Sequence, residues 1–317
     1  MSVTLLHTLY AVDVDPVTEA NAVLVDQVND FSIDPALQSI LQAGDGQVDP
    51  TFVAVMAQSP RLRFTSTALA TILAEVSSAF LISGIKIDSD VTHDGLEAWF
   101  QKITEGGTRT AGANHIKMTI NEGLLAPLAL NAQQGAPATL GLEAVVGYDG
   151  TNEPVVIATS QSLVGTPAVG ELFTLGPVAL NGTTINGVQS IAYDAGLQIL
   201  AQSGDGQVWP TFIAIMSRRP RLVINTVDVG VFSTFGLDGT AQSVTDSVAY
   251  LRKIAEGGTR ELDATAEHIK LTFDDGIIYC GPIQGSQGQV LGAQLILEPT
   301  YDGTNAIVVV DTASAIT

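Results

Sequence analysis

The sequence predicts a mainly β fold made of two tandem homologous domains, each a β-sandwich or partly closed β-barrel with at most one short α-helix. Two observations predict it. Long blocks of the sequence occur twice. Within each copy, short runs of β-branched and aromatic residues alternate with polar residues and end at Gly, Asp or Asn. The 317 residues suffice for two domains of ordinary size.

The duplication sets the domain boundary. The repeated blocks lie at 44–62 and 204–222, at 105–109 and 256–260, and at 148–152 and 301–305. Their offsets are 160, 151 and 153 residues, so the first copy has an insertion, which we place near 74–94. Small residues and one proline at 162–170 are typical of a short linker. We therefore predict one domain at 1–165 and a second at 166–317.

The local patterns predict the elements of each copy in chain order. PTFVAVMA at 50–57 alternates like a strand, and TALATILAEV at 67–76 has helical spacing with Thr67 as a possible N-cap. The counterpart of this helix, VDVGVFSTFG at 227–236, contains Gly230 and is a poorer helix former. WFQKI at 99–103 is short and soon followed by glycines, which favours a strand over a helix turn.

Two hairpins close each copy. HIKMTI at 115–120 alternates apolar and polar residues and turns at Asn121-Glu122-Gly123. The last hairpin turns at Asp149-Gly150-Thr151-Asn152, where glycine supplies the positive φ that a tight turn needs. Both hairpins recur in the second copy, so the two domains are expected to share one topology.

Charge is the strongest statement of the composition. The chain has 33 acidic and 13 basic residues and a net charge of −20, which excludes nucleic-acid binding through clustered cations.

Cys280 is the single cysteine, so no intrachain disulfide forms. No apolar run approaches the ~20 residues that span a bilayer, and the first residues lack the basic region of a signal peptide. We expect no membrane association.

The sequence predicts no catalytic, cofactor-binding or metal-binding residue. The glycines at 44–46 lack the pattern of a phosphate-binding loop, and the aspartates at 13–15 lack that of a calcium loop. His115 and His268 are copies of each other with no second ligand at metal spacing, so we interpret them as structural. The chain is therefore predicted not to be an enzyme.

Eight of the 13 basic residues occur in four equivalent pairs, and two of these pairs are the candidate contacts between domains or between subunits: Arg109, Arg260, Lys117 and Lys270. A cation present in both copies is expected to make the same kind of contact in both. This contact is either an ion pair inside each domain or a contact between neighbouring domains. Arg109 and Arg260 lie in Gly-rich loops and lead the second interpretation, because the guanidinium group pairs well with carboxylates.

Three segments together resemble a known family: WFQKITEGGTR at 99–109, HIKMTINEGLLAPLAL at 115–130 with its counterpart HIKLTFDDGII, and the YDGTN hairpin. They resemble the tail tube (major tail) proteins of long-tailed bacteriophages (siphophages), in their duplicated two-domain form. The resemblance implies a structural virion protein without catalysis. Three chains would form a pseudo-hexameric ring, and stacked rings would form the channel through which DNA passes during ejection.

The resemblance also implies partners and a location. The chain would bind itself as homotrimer rings, meet other tail proteins at the tube ends, and let double-stranded DNA pass without specific binding. It would be assembled in the host cytoplasm and reside in the virion. We expect an acidic lumen, and axial arms formed by the insertion near 74–94 or by the chain ends. The alternatives are a capsid cement or decoration protein, another virion structural protein, or a cellular β-rich binding module such as an adhesin.

Overall fold

The computed structural model is mainly β, as the sequence predicts, with 59% strand and 5% helix. It describes residues 6–14, 24–25, 27–76, 80–88, 95–103, 112, 114–163, 171–204, 206–235, 242–255, 257, 260–283, 285–288, 290–304 and 306–317. The predicted domain boundary, between residues 165 and 166, lies within the range 164–170, outside these residues. We call residues 1–165 the first half and 166–317 the second half.

The described residues of the first half form twelve strands and two helices, in chain order: β1 Leu6–Val14, β2 Leu24–Val25, β3 Val28–Asp34, β4 Leu37–Gln42, β5 Phe52–Gln58, β6 Arg61–Ser66, α1 Leu69–Val76, α2 Phe80–Ser83, β7 Ile85–Asp88, β8 Leu96–Ile103, β9 His115–Ile120, β10 Glu122–Gln133, β11 Thr139–Val146 and β12 Val155–Gln161. The predicted helix and the predicted strand at 99–103 are both present.

The second half repeats this order with one helix: β13 Leu172–Leu180, β14 Thr183–Ile185, β15 Val188–Asp194, β16 Gln198–Gln202, β17 Phe212–Ser217, β18 Arg221–Thr226, α3 Val231–Phe235, β19 Gln242–Ser243, β20 Ser247–Ile254, β21 His268–Phe273, β22 Gly276–Cys280, β23 Ala293–Pro299 and β24 Val309–Ser314. Each strand of the first half thus has a counterpart twelve strands later. Among the described residues, this half has one helix, within the predicted limit, whereas the first half has two, one more than predicted.

Each half has a five-stranded antiparallel sheet of its own, ordered β12-β9-β8-β1-β2 in the first half and β24-β21-β20-β13-β14 in the second. The orders are equivalent strand by strand. The remaining long strands form one ten-stranded sheet, ordered β19-β22-β23-β18-β15-β10-β11-β6-β3, with β7 also pairing β10. This shared sheet runs through both halves, and the described sheets form no closed barrel.

The core lies between the shared sheet and the two five-stranded sheets. Period-two alternation places one face of each strand inward, as in Leu62 and Phe64 of β6 or Leu140 and Leu142 of β11, all buried. The buried apolar residues form one cluster that spans both halves. The duplicated chain therefore has a continuous core.

The insertion near 74–94 is not an axial arm in its described part, which corrects our expectation. Phe80, Leu81 and Ile82 of α2 are buried, and β7 pairs with the start of β10. An apolar segment of this kind gains more free energy by covering the core than by extending into solvent. The described C-terminal end is also held, since the Ile316 amide donates to the Asp263 carbonyl at 2.8 Å. Residues 1–5, 77–79 and 89–94 lie outside the description.

The two equivalent histidines are structural, as their sequence context predicts. His115 and His268 are both buried, and the Nδ1 of each accepts a hydrogen bond from a main-chain amide at 3.1 Å, that of Lys102 and that of Lys253. The Nε2 of His268 lies 2.9 Å from the carbonyl oxygen of Leu262, so this nitrogen carries the proton and donates. Each ring thereby fixes the end of a long strand.

We expect His268→Ala to lower the free energy of unfolding by about 1–3 kcal/mol, because the Lys253 amide loses its buried acceptor. Urea unfolding measured at dilute concentration tests this value. His7→Ala is the matched control at a half-buried position of β1, with an expected change within about 0.5 kcal/mol. Equal effects of the two variants would contradict the structural role.

Candidate assembly interface

The four predicted contact residues differ in whether they contact their own half or the other half. Lys117 pairs with Glu97 at 2.5 Å and lies over the Trp99 ring, and Lys270 lies over the Tyr250 ring. These contacts stay inside one half. Arg260 reaches the other half, where its Nη2 donates to the Oε1 of Gln134 at 3.2 Å. Arg109 lies outside the described residues. Among the described cations of this set, only Arg260 thus contacts the other half.

The halves are joined by the pairing of β10 with β15. Five residue pairs run antiparallel, from Ala129 opposite Asp194 to Gln133 opposite Ser190. Leu130 and Tyr193 face each other in the middle of this ladder, and their exposed fractions are 0% and 1%. We call this pairing the junction. It makes two five-stranded units into one sheet of ten strands.

Contacts around Tyr193 secure the junction. Its hydroxyl donates to the Leu81 carbonyl of the first half at 3.2 Å, and its ring packs on Phe273 of the second half. The surrounding apolar groups desolvate the phenol, which raises the pKa of Tyr193. The side chain therefore stays neutral and remains a hydrogen-bond donor at ordinary pH.

Main-chain hydrogen bonds extend the junction beyond the ladder. The Gln134 amide donates to the Gln189 carbonyl at 2.9 Å, and the Ala138 amide donates to the Phe173 carbonyl at 2.7 Å. The Thr174 hydroxyl donates to the Ala136 carbonyl at 2.9 Å. Because backbone groups carry these bonds, the sequence gives little sign of them.

A β-hairpin of the second half also lies on the first half. β16 and β17 form this hairpin, and β4 and β5 form its counterpart. The Pro210 carbonyl accepts from the Tyr148 amide at 2.8 Å, and the Val208 carbonyl accepts from the Gln58 amide at 2.9 Å. The β16–β17 hairpin thus holds the end of β5 and the turn after β11.

The junction has two surfaces, and a second copy of each is free. β15 supplies one surface, and its counterpart β3 is the terminal strand of the shared sheet, paired with β6 alone among the described residues. β10 supplies the other, and its counterpart is β22 with the residues that follow it. β10 continues to Gln133, whereas β22 ends at Cys280, equivalent to Pro127 at the 153-residue offset.

Exposure follows this pattern. Ile33 is the counterpart of Tyr193, and Ile283 is the counterpart of Leu130; both are 41% exposed, while the junction pair is buried. The turn after each edge is the same, because Gly135 and Gly288 have φ values of +77° and +81°. The chain therefore has a free copy of each junction surface, and the two copies lie at opposite ends of the shared sheet.

The face of the shared sheet that points away from the core carries charges of both signs. Strand registers place seven carboxylates, three guanidinium groups and one ammonium group on it: Asp30, Asp34, Asp88, Glu122, Glu143, Asp194, Glu298, Arg61, Arg63, Arg221 and Lys86. Arg61 and Arg63 both bond to Glu143, at 3.3 Å and 2.7 Å. Arg61 and Arg63 are thus neutralised by Glu143, and the acidic excess of the chain lies mostly elsewhere.

A scan against protein-family models finds no match, and a search of curated proteins finds none either. No described helix has the length and apolar content needed to cross a membrane. Within the described ranges, no three His, Cys, Asp or Glu side chains group as a metal site would require.

The free edges had no sequence signal of their own. Ile33 and Ile283 read as ordinary strand and loop residues. The duplication is the signal that could have found them, because a strand that pairs across the halves in one copy leaves an unpaired counterpart in the other. Which strand does so depends on sheet order, which periodicity does not report.

Leu130→Ala should cost about 2–5 kcal/mol of unfolding free energy, since it opens a cavity in the junction. Ile283→Ala at the equivalent exposed position should cost no more than about 0.5 kcal/mol. Chemical denaturation of both variants at a concentration that keeps the chain monomeric makes the comparison. Similar losses would show that the residues after β22 are already packed in the single chain.

Proposed function

We propose that the chain is a structural subunit that joins head to tail into a closed ring by repeating its internal junction between chains, and that it is a tail tube protein of a long-tailed phage. One observation carries the proposal: both surfaces of the junction recur, unpaired and each with an exposed isoleucine, at opposite ends of the shared sheet. β3 of one chain would pair with the residues after β22 of the next, as β15 pairs with β10.

An interface between two different surfaces is heterologous, so it generates a ring when the rotation closes and a filament when it does not. Here the step within the chain and the step between chains use equivalent elements. Their rotations should be nearly equal, and a ring of n chains then has twice n similar positions. The family resemblance supplies the number, three chains in a pseudo-hexameric ring.

Other exposed residues agree with this repetition. Val310 of β24 is buried, whereas its counterpart Ile157 of β12 is exposed. Val156 and Val309, also counterparts on these strands, have similar exposure at 36% and 39%. Where equivalent residues differ in exposure, the buried residue marks a surface that is already covered within the chain. The exposed residue marks the equivalent surface that is still free for a neighbouring chain.

The shared sheet is the natural wall of a lumen. It is continuous across the halves, whereas the five-stranded sheets are separate, as expected for an inner and an outer layer of a ring. On its face away from the core, Arg61 and Arg63 are paired with Glu143, and carboxylates outnumber cations among the described residues, so this face offers little to hold a phosphate backbone. Double-stranded DNA would pass without specific binding. The lack of DNA binding would then come from the pairing of opposite charges on the wall of the lumen, more than from a strong excess of acidic residues there.

The hairpins offer a surface for stacking rings. Phe52 and Met56 of β5 are 54% and 61% exposed, and their counterparts Phe212 and Met216 of β17 are 56% and 65% exposed. We call this the outer hairpin face. It is free even on the hairpin that already lies on the first half, so a repeated junction leaves it uncovered. A second ring would present the matching repeat, and other tail proteins would cover it at the tube ends.

Ile33→Asp or Ile283→Asp should raise the concentration needed for ring formation by at least about tenfold, because assembly would bury a carboxylate against an apolar side chain. Sedimentation velocity and electron microscopy across a concentration series measure this. Val156→Asp and Val309→Asp are the matched controls, since both positions lie outside the repeated junction. Rings that form normally with Asp at 33 and 283 would refute the proposal.

Replacing Phe52, Met56, Phe212 and Met216 together by Ser should leave rings intact and abolish stacked tubes, because the outer hairpin face loses its apolar contact area. Electron microscopy distinguishes single rings from tubes, and top views report the ring symmetry. A wild-type trimer that never stacks at high concentration would favour a capsid cement or decoration protein over a tail tube.

A further inference from the structure

The β16–β17 hairpin packs on a defined site of the first half. Gln58, Gly147 and Tyr148 form this site, which we call the seat. Besides the hydrogen bonds made by the Val208 and Pro210 carbonyls, Ile213 of β17 packs over the turn that follows β11. Its Cδ1 atom lies 3.0 Å from the position that a Cβ on Gly147 would occupy. Pro210 and Gly147 are both buried there, and Val208 and Tyr148 are half-buried. The seat therefore combines main-chain bonds with close apolar packing.

The β4–β5 hairpin has no such seat in its own chain. Its counterparts of Val208 and Pro210 are Val48 and Pro50, which are both exposed, and Val48 is 96% exposed. The counterpart of Ile213 is Val53, which is also exposed. Leu41 lies opposite Val53 in the ladder, and both are exposed together with Val55; we call these three residues the inner hairpin face. Its equivalent on the second half is partly covered by the first half.

An equivalent of the seat is free on the second half. Tyr148 corresponds to Tyr301, which is 62% exposed, and Gly147 corresponds to exposed Thr300. The turn has the same support in both halves: the Gly147 amide donates to the Glu122 carbonyl at 2.8 Å and the Thr300 amide to the Asp275 carbonyl at 3.1 Å. The main chain of the seat is thus built twice and occupied once.

The side chains of hairpin and seat vary together. In the occupied seat the larger Ile213 meets Gly147, which has no side chain. In the free pair the hairpin has Val53, which lacks the Cδ1 methyl, and the seat has Thr300, which adds a side chain. The methyl removed on one side makes room for the atoms added on the other, as close packing requires.

We infer that the β4–β5 hairpin of one chain seats on the second half of the neighbouring chain, as β16–β17 seats on the first half of its own. The Val48 carbonyl accepts from the Arg218 amide of that neighbour, and the Pro50 carbonyl accepts from its Tyr301 amide. The partner is a second copy of this chain. This inference rests on the proposed ring and adds a second contact to the strand pairing of the same interface.

The test uses short-range crosslinking in a Cys280→Ser background. One chain carries Val48→Cys and a second chain carries Arg218→Cys, and the two are mixed and treated with a short bismaleimide. A covalent dimer containing both labelled peptides is expected only in the mixture. Gln58→Cys with Val208→Cys in a single chain is the matched control, since it samples the occupied seat and should crosslink within the monomer.

The outcomes separate the inference from the proposed function. A Val48–Arg218 crosslink at concentrations where sedimentation shows rings supports both. Rings without this crosslink, while the control pair at 58 and 208 reacts, overturn the hairpin seat and leave the ring. Absence of any oligomer in the wild-type chain overturns the ring, and the inference with it. A chain pairing Val48→Cys with Val156→Cys should give no crosslink.

Discussion

The pairing of β10 with β15 is the interaction on which the rest of the structure depends. It joins two five-stranded units into one sheet and brings Leu130 and Tyr193 into a common core. Without it, each half would expose an edge of unpaired amides and carbonyls together with apolar side chains. Such edges lower solubility and invite pairing with other chains. Inside the molecule, the pairing converts one such pair of edges into core.

Equivalent edges recur at the ends of the shared sheet, where the described part of the chain leaves them unpaired. The residues after β22 include Gly281, Pro282 and Gly285, which disfavour a preformed strand, since proline lacks the amide and glycine loses most entropy on ordering. The equivalent part of β10 is already a strand. The duplicated chain thus has one copy of the junction closed, and in the proposed ring the other copy would form when a neighbour supplies β3.

Much of the fold could be predicted from the sequence, because alternation and turn residues act locally. The strands at 99–103 and 115–120, the helix at 67–76 and the repeated order of elements all follow from patterns of a few residues. The expectation of an arm near 74–94 is wrong for the described residues 80–88, since their apolar side chains cover a core that forms only when distant strands come together. The roles of Lys117 and Lys270 inside their own halves also required knowing which strands are adjacent.

The sequence by itself determined the β class, the duplication and the absence of recognisable catalytic or metal-binding motifs, because these depend on composition, periodicity and repeated blocks. Only the tertiary structure decided which strand joins the halves, which hairpin is seated and which residues stay exposed. Ile33 and Tyr193 occupy equivalent positions in two copies of one strand. Their burial differs because sheet order places a partner beside one and leaves the other at an edge, and sheet order arises from long-range contacts.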